Sequence, residues 1–523
     1  MMPYSPEQIE EIRTRWVTGD PAEREGIFQE LAGILAQSIP GEQPRLTLVY
    51  PGGSTPISDI AEKNKERKRN EHLDSICRKF PTSDIGNSQR FAQRKKPVAR
   101  FCHAYKSWFI WDGRRWGKDH IGKAIELAKE VILRIGDEAI SIEYSDDSAR
   151  IFRWAAASQA RPRIDAALYL AQSVMAIEPK DLDAKGHLLN LPNGTFNLST
   201  GELCPHNKDD FLTKLAGVEY QPEEECPLWQ NHLNLIFNND QEMINAFQQV
   251  CGYTLLQENP EQVLFILYGS GKNGKSKTLG VLSHILGDYA INIAAETLMK
   301  KKSMNDNSPR GDVARIFNAR FVSASEGEAG QPLAEGMVKQ LTGDDKITVR
   351  RLYENEIEFL PTAKIWLATN HRPIIRGTDD GIWRRIWLIP FTVAIPEEKR
   401  DPDISKKLFA EGSGILNWMI KGLQKYQEAG HLVQPEKVKI ATHEYRQDSD
   451  LLKEFLEGWC VMSGEIKRSD LYRAYSDWCE QNHEKAVGSK RFAIMIREHG
   501  VGERRDIKDR YWTGISSRGF WST

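Results

Sequence analysis

An α/β fold is predicted for the centre of this chain of 523 residues, on three observations. The apolar run Val263-Leu-Phe-Ile-Leu-Tyr268 has the length of a buried strand, and it leads into a glycine-rich loop and then a helical stretch, Thr278–Leu286. Two further apolar runs, Phe321–Glu326 and Lys364–Asn370, also have strand length and end in polar residues. Strands and helices alternate over 260–395, the pattern of an α/β core.

Composition bounds the rest. At roughly 150 residues per domain the length predicts about three to four domains. Charged residues are 28% and hydrophobic residues 40%, as in a folded, soluble protein. A formal charge of −2 excludes a uniformly basic nucleic-acid coat and an acidic tail, but not a local basic site. The apolar runs are too short to cross a membrane, which takes about 20 residues, and the opening residues, with no basic stretch followed by an apolar one, lead us to expect no signal peptide. The seven cysteines include no CxxC pair, so reduced thiols in a cytoplasmic protein are expected rather than a disulfide framework or zinc ribbon.

Four regions follow in order. Residues 1–75 form a helical and linker region: Ser5–Ala36 has helical periodicity, a Pro/Gly/Ser-rich loop follows, and Lys63–Arg69 carries five basic residues and one acidic. That run is a solvated helix face or linker, the alternative being DNA contact. Residues 76–250 form a mixed α+β domain. Hairpins are expected over Trp108–Trp116, turning at Asp112-Gly113, and over Leu191–Leu198, turning at Asn193-Gly194. Helices are expected at Ile121–Ile135 and Trp229–Tyr253. The third region, 251–430, holds the α/β core and a helix over 404–429. The fourth, 431–523, carries helices at Leu451–Trp459, Ser469–Asn482 and Ser489–His499 and a short strand-like tail.

The loop after the first strand reads Gly269-Ser270-Gly271-Lys272-Asn273-Gly274-Lys275-Ser276, followed by Lys277. It is GxxxxGK[ST] in its required setting of strand, loop and helix. The glycines let backbone N–H groups aim at phosphate oxygens, and the helix N-terminus adds its dipole. Lys275 is suited to the β- and γ-phosphates and Ser276 to Mg²⁺. This loop alone does not name a reaction.

The residues that follow narrow it. Glu326 ends the second strand, where a carboxylate can orient Mg²⁺ and polarise a water; Glu328 shares that task or is an ordinary loop acid. Asn370 ends the third strand, where an amide can position water against a γ-phosphate; the alternative is a turn-forming asparagine. Arg384 and Arg385 suit a transferring phosphoryl group, including one held by a neighbouring subunit; the alternative is an ion pair with Asp379 or Asp380. A helix ending at Gly343 precedes a hairpin over Lys346–Phe359 that turns near Glu354-Asn355. Its Lys346, Arg350 and Arg351 suit a phosphate backbone, unless they are a solvated edge. Lys339 is a further candidate to face a nucleotide.

In this order and spacing, Gly269–Ser276, Ser325-Glu326, Lys339–Asp344, Ala368–Asn370 and Trp383–Arg385 resemble a superfamily 3 helicase, specifically the phage/plasmid and poxvirus-type primase–helicases. Upstream, Ser83–Phe91, Trp108–Trp116 and Leu191–Leu203 resemble the domain that precedes the motor in that family. Downstream, Leu471–Trp478 and Lys490–Phe492 resemble its C-terminal module. The resemblance implies an AAA+-like P-loop NTPase core, a mixed α+β domain before it and a winged-helix-like DNA-binding domain after it. It further implies a homo-oligomeric ring, usually a hexamer, with ATP and Mg²⁺ between subunits. Arg385 would be the arginine finger, with Arg384 as runner-up, and the hairpin would track single-stranded or forked DNA.

The expected activity is that of an ATP-driven replicative DNA helicase of a phage, prophage or mobile element, acting in the host cytoplasm with other replication proteins and no membrane. Two other readings stand beside it: an ATP-controlled origin-binding or partner-recruiting ring that does not unwind, and a bifunctional primase–helicase. Primer synthesis needs a strand-borne Asp-x-Asp pair, a later histidine and a further acid. Residues 1–75 hold no such set, and Asp181-Leu-Asp183 lies in the pre-motor segment, so priming is not expected.

Overall fold

The computed structural model describes residues 48–50, 53–55, 57–140, 146–300, 311–325, 331–350, 356–377, 379–449, 451–482 and 486–518. The helix expected over Ser5–Ala36 lies outside them. The chain divides into two compact units, residues 1–94 with 128–170, and residues 95–127 with 171–523.

Among its described residues the first unit is mainly helical. Ile57–Cys77 carries the basic run as a helix with an exposed basic face. Helices Asp84–Lys95, Ile135–Ile140 and Asp146–Ser158 pack around a buried charge network. Arg90 Nε donates to Glu138 Oε2 at 2.8 Å, and Asp74 accepts from Arg94 and, at 2.9 Å, from Arg134. Burial pushes the Glu138 carboxyl up, opposed by Arg90, so the arginines are what keep this charge tolerable.

In the second unit both expected hairpins form. Trp111 pairs with Trp116 across a turn in which Gly113 takes φ +102° and Asp112 Oδ1 accepts from the N–H groups of Arg114 and Arg115. Leu188–Leu191 pairs with Gly194–Asn197, so the turn falls at Pro192-Asn193, one residue before the expected Asn193-Gly194. The helix expected over Trp229–Tyr253 is two helices: α1, Pro227–Ile236, and α2, Gln241–Tyr253. Asn238 and Asn239 both have positive φ and break it, and Asp240 then caps α2 by accepting from Met243 N–H.

A five-stranded, wholly parallel sheet follows. Its strands are β1 Leu264–Tyr268, β2 Ala290–Ala294, β3 Phe321–Ser325, β6 Lys364–Thr369 and β7 Ile386–Pro390, in the order β2-β3-β6-β1-β7. Strands β4 Ile347–Arg350 and β5 Glu356–Phe359 form a separate antiparallel hairpin between β3 and β6. Strands β1, β6 and β7 are buried almost throughout because both faces are covered, whereas the edge strand β2 exposes Asn292 and Ala294. Phe265, Leu267, Trp366, Trp387 and Ile389 face one core with α1, α2, α3 (Lys275–Leu286) and α5 (Gly412–Ala429). Leu264, Ile266, Val322, Ile365 and Leu388 face the other, with α4 (Glu335–Thr342) and the hairpin.

The helix expected over 404–429 is interrupted at Glu411, whose carboxylate accepts from Leu228 and Trp229 N–H and so caps α1. Helix α6, Glu436–Asp448, packs on β7. The C-terminal helices α7 Leu451–Trp459, α8 Arg468–Gln481 and α9 Ser489–Glu498 share a core with Trp512 of a three-stranded antiparallel sheet, order Glu465–Lys467, Arg510–Thr513, Gly502–Arg505. Among the described residues no helix is long and apolar enough to cross a membrane.

Candidate phosphate-binding site and the opposite sheet edge

The loop that leaves β1 lies at the C-terminal edge of the sheet, where parallel sheets hold ligands. Its turn uses Gly271 at φ +97°, Lys272 at φ +53° and Gly274 at φ +87°. A side chain at Gly274 would meet Ile236 at 2.8 Å and His232 at 3.1 Å, so this glycine is also required by packing. Asn273 is buried and donates to the Phe391 carbonyl at 2.8 Å, which fastens the loop to the end of β7. Helix α3 starts at Lys275, so its first N–H groups face the loop.

Lys275 is 5% exposed. Its Nζ donates to Gly269 O at 2.6 Å, Asn273 Oδ1 at 3.0 Å and Asn370 Oδ1 at 3.1 Å. Two residues 95 positions apart, each named from its own motif, thus meet directly. The surrounding cleft, about 210 Å³, is lined by Gly271 through Lys277, by Ser325 at the tip of β3, and by Ala368, Thr369 and Asn370 at the tip of β6. Ser276 and Lys277 are exposed to it, and Ser270 is exposed nearby in the loop. Glu326 and Glu328, which follow Ser325 in sequence, lie outside the described residues. The donor set fits a polyphosphate: one ammonium, glycine-supported N–H groups and a helix N-terminus.

His232 was not singled out from the sequence. It stands on α1, buried beside Gly274, and its Nε2 lies 3.1 Å from Thr278 Oγ1 on α3. Burial pushes its imidazole down to about 4, so it is neutral around pH 7. Next to it an apolar cavity of about 350 Å³ opens between Leu228, Leu235, Ile395 and Ile404, and shares Lys272, Gly274 and Lys277 with the phosphate cleft.

The other predicted residues sit elsewhere. Strand β7 is in register with β1, Ile386 opposite Leu264 and Pro390 opposite Tyr268. Arg384 and Arg385 therefore enter at the N-terminal edge, about 20 Å from the loop at roughly 3.3 Å per residue. Asp379 and Asp380 are taken by Lys339 at 2.9 Å and Arg446 at 2.7 Å, so neither pairs with these arginines. Lys339 lies with them, away from the cleft. Arg385 is buried, with Nη1 on Gly381 O at 2.5 Å, whereas Arg384 is exposed. The hairpin buries Ile347 and Val349 and exposes Thr348 and Arg350. Lys346 pairs with Glu358 at 3.1 Å, and Arg351 lies outside the described residues.

Two family models match the chain: "D5 N terminal like" over 88–238 and a family of unknown function, DUF5906, over 267–385. A "Putative helicase" of Acanthamoeba polyphaga mimivirus is 29% identical over 328 residues, 58% of this chain and 34% of that protein. A "Putative helicase" of Sputnik virophage is 24% identical over 64% of this chain and 45% of its own length. A "Putative primase" of African swine fever virus is 24% identical over 58% of this chain and 34% of its own. The chain thus spans between a third and a half of the length of these relatives. Among solved structures, the apo C-terminal region of NrS-1 aligns over 80% of this chain and 96% of its own, at 13% identity and a TM-score of 0.45. Family models and named relatives agree in direction: over the matched residues the chain is similar to viral proteins named as putative helicases and primases.

Proposed function

We propose that this chain is the subunit of an ATP-dependent DNA helicase ring, a hexamer serving replication of a phage, prophage or other mobile element in its host's cytoplasm. The observation that carries the reading is the meeting of Lys275 and Asn370 at one sheet edge while Arg384 and Arg385 stand at the other. A subunit built this way binds phosphate at one edge and offers arginines at the opposite one, which suits hydrolysis between subunits. Arg384, the exposed member, is the better placed to reach a neighbour, and Arg385 braces it.

In this reading the parallel sheet is an AAA+-like motor. Lys275 and the loop N–H groups bind the β- and γ-phosphates. Ser276 and Glu326 would hold Mg²⁺, which supplies charge neutralisation on the phosphates. Glu326, supported by Glu328, takes the proton of the attacking water, and Asn370 orients that water. The apolar cavity beside His232 takes the base. Lys346, Arg350 and Arg351 would follow the strand backbone, with the C-terminal helices and sheet as a winged-helix-like DNA-binding module.

Strand displacement on a forked duplex tests the reading. ATP-dependent unwinding is expected, lost in Lys275→Ala. Robust ATP turnover without displacement would replace the helicase by an ATP-controlled DNA-binding ring.

A further inference from the structure

Gln262 precedes β1 by two residues and holds a backbone conformation that a side-chain-bearing residue adopts at a cost. Its φ is +56°, in the left-handed region, which disfavours residues other than glycine by roughly 1–2 kcal/mol. Such strain persists where surrounding contacts impose it, and often at functional places. The contacts here are specific. Gln262 Oε1 accepts from Arg384 Nη2 at 3.1 Å and from Arg385 Nη2 at 3.0 Å. Its Nε2 donates to Asp344 Oδ2 at 2.5 Å. Arginine can only donate and a carboxylate only accept, so this network admits a single orientation of the amide.

The chemistry of the holding group matters as much as its position. The nearby carboxylates Asp379 and Asp380 are engaged by Lys339 and Arg446. The two guanidinium groups are therefore oriented by a neutral oxygen. A carboxylate at that distance would neutralise them and compete with any phosphate they serve. Arg385 is also anchored through Gly381 O, and its Nε is buried without an acceptor. Burial and then the neighbouring Arg384 charge lower its proton affinity, opposed by the Asp344 and Asp379 carboxylates, and the Gln262 oxygen is the acceptor that both guanidinium groups share.

We propose that Gln262 is the positioning residue for Arg384 and Arg385, and that through β1 it ties them to the phosphate loop of their own subunit. The chain from amide to loop is short: Gln262, Val263, the five residues of β1, then Gly269. Displacement of β1 on phosphate binding would shift the arginines offered to the neighbour. The inference rests on the reading that these arginines act between subunits.

The test uses the full chain with two variants. Gln262→Gly removes the amide and relaxes the left-handed backbone, so it keeps the fold; Gln262→Leu keeps the bulk. DNA-stimulated ATP hydrolysis should lose at least about 10-fold in kcat in both, with KM held within about twofold, as for loss of an arginine acting in the transition state. Mixing Gln262→Gly with Lys275→Ala protein should restore turnover. There, an intact pair of arginines from the Lys275→Ala subunit meets an intact phosphate loop on its neighbour. The Arg384→Ala/Arg385→Ala double variant is the reference. If that double variant hydrolyses ATP at the wild-type rate, the intersubunit reading itself falls. If it is inactive alone and rescued by mixing while the Gln262 variants keep wild-type kcat, or lose it without rescue, the positioning role of Gln262 is overturned and the reading survives.

Discussion

The ammonium of Lys275 rests on three oxygens, and a bound phosphate would have to draw it from at least one of them. Asn370 is the partner contributed by a distant strand. Asn370→Ala should lower kcat about 100-fold while changing KM by no more than a few-fold, read by phosphate release, since loss of a positioned polar group at a reacting centre has that size. Lys275→Ala should abolish turnover altogether. His232 gives a different kind of prediction. Its imidazole is held down to about 4 by burial, against an unfolded value near 6.5. The unfolded chain binds the proton first, so the contribution is full above pH 6.5 and is lost as pH falls from 6.5 towards 4. The loss is of order 3 kcal/mol at its limit. Melting curves over pH 7 to 4.5 should fall more steeply for the wild type than for His232→Gln, and parallel curves would show that the histidine is not buried neutral.

Helices α2 and α5 cross at paired glycines, and this contact sets how the helical layer lies on the sheet. A Cβ at Gly252 would stand 2.0 Å from Leu423 N, and one at Gly422 would stand 2.0 Å from Gln248 O. Either glycine replaced by alanine forces the helices apart and should cost about 1–3 kcal/mol in a denaturant titration. The β4–β5 hairpin makes a prediction about binding instead. Lys346→Ala and Arg350→Ala should weaken single-strand binding, each reducing the salt slope by about 0.7, with ATPase measured without DNA unchanged. The same elements explain what could be read from the sequence. Strands β1, β3 and β6 were legible because burial on both faces leaves a largely apolar run, whereas β2, a half-exposed edge strand, and β7 were not singled out; the phosphate loop was legible because its parts are contiguous. Helix α6 was not legible, because only Val438 and Tyr445 of its residues are buried, Ala441 is half-buried, and the rest are polar or exposed. His232 and Gln262 were not legible either. Their roles come from the packing of α1 against Gly274 and from one left-handed φ, and neither leaves a local spacing.

For the whole molecule, a net charge of −2 coexists with local excesses of basic residues. Residues 345–351 hold three basic and one acidic side chain, and residues 487–523 hold eight basic and four acidic. A ring would repeat the first of these around one channel while its exterior stayed near neutral. Particles imaged with an ATP analogue and forked DNA should therefore show rotational symmetry with the hairpins innermost; isolated single subunits under those conditions would sink the ring. One buried feature bears on how far such a motor can be pared down. Arg320 and Lys364, both fully buried, stand side by side at the N-terminal ends of β3 and β6. Lys364 Nζ donates to Leu256 O at 2.5 Å and lies over the Tyr253 ring. Arg320 reaches Leu255 O, and its Nη2 meets the carbonyls of Gly186 at 3.2 Å and Leu188 at 2.5 Å. These oxygens come from α2's exit and from the hairpin strand near 188, both upstream of the phosphate loop. Truncation just before β1 would strip the buried Arg320 of these three acceptors and leave Lys364 only the Thr362 carbonyl at 3.3 Å, so the smallest autonomous ATPase of this chain should have to begin before residue 186.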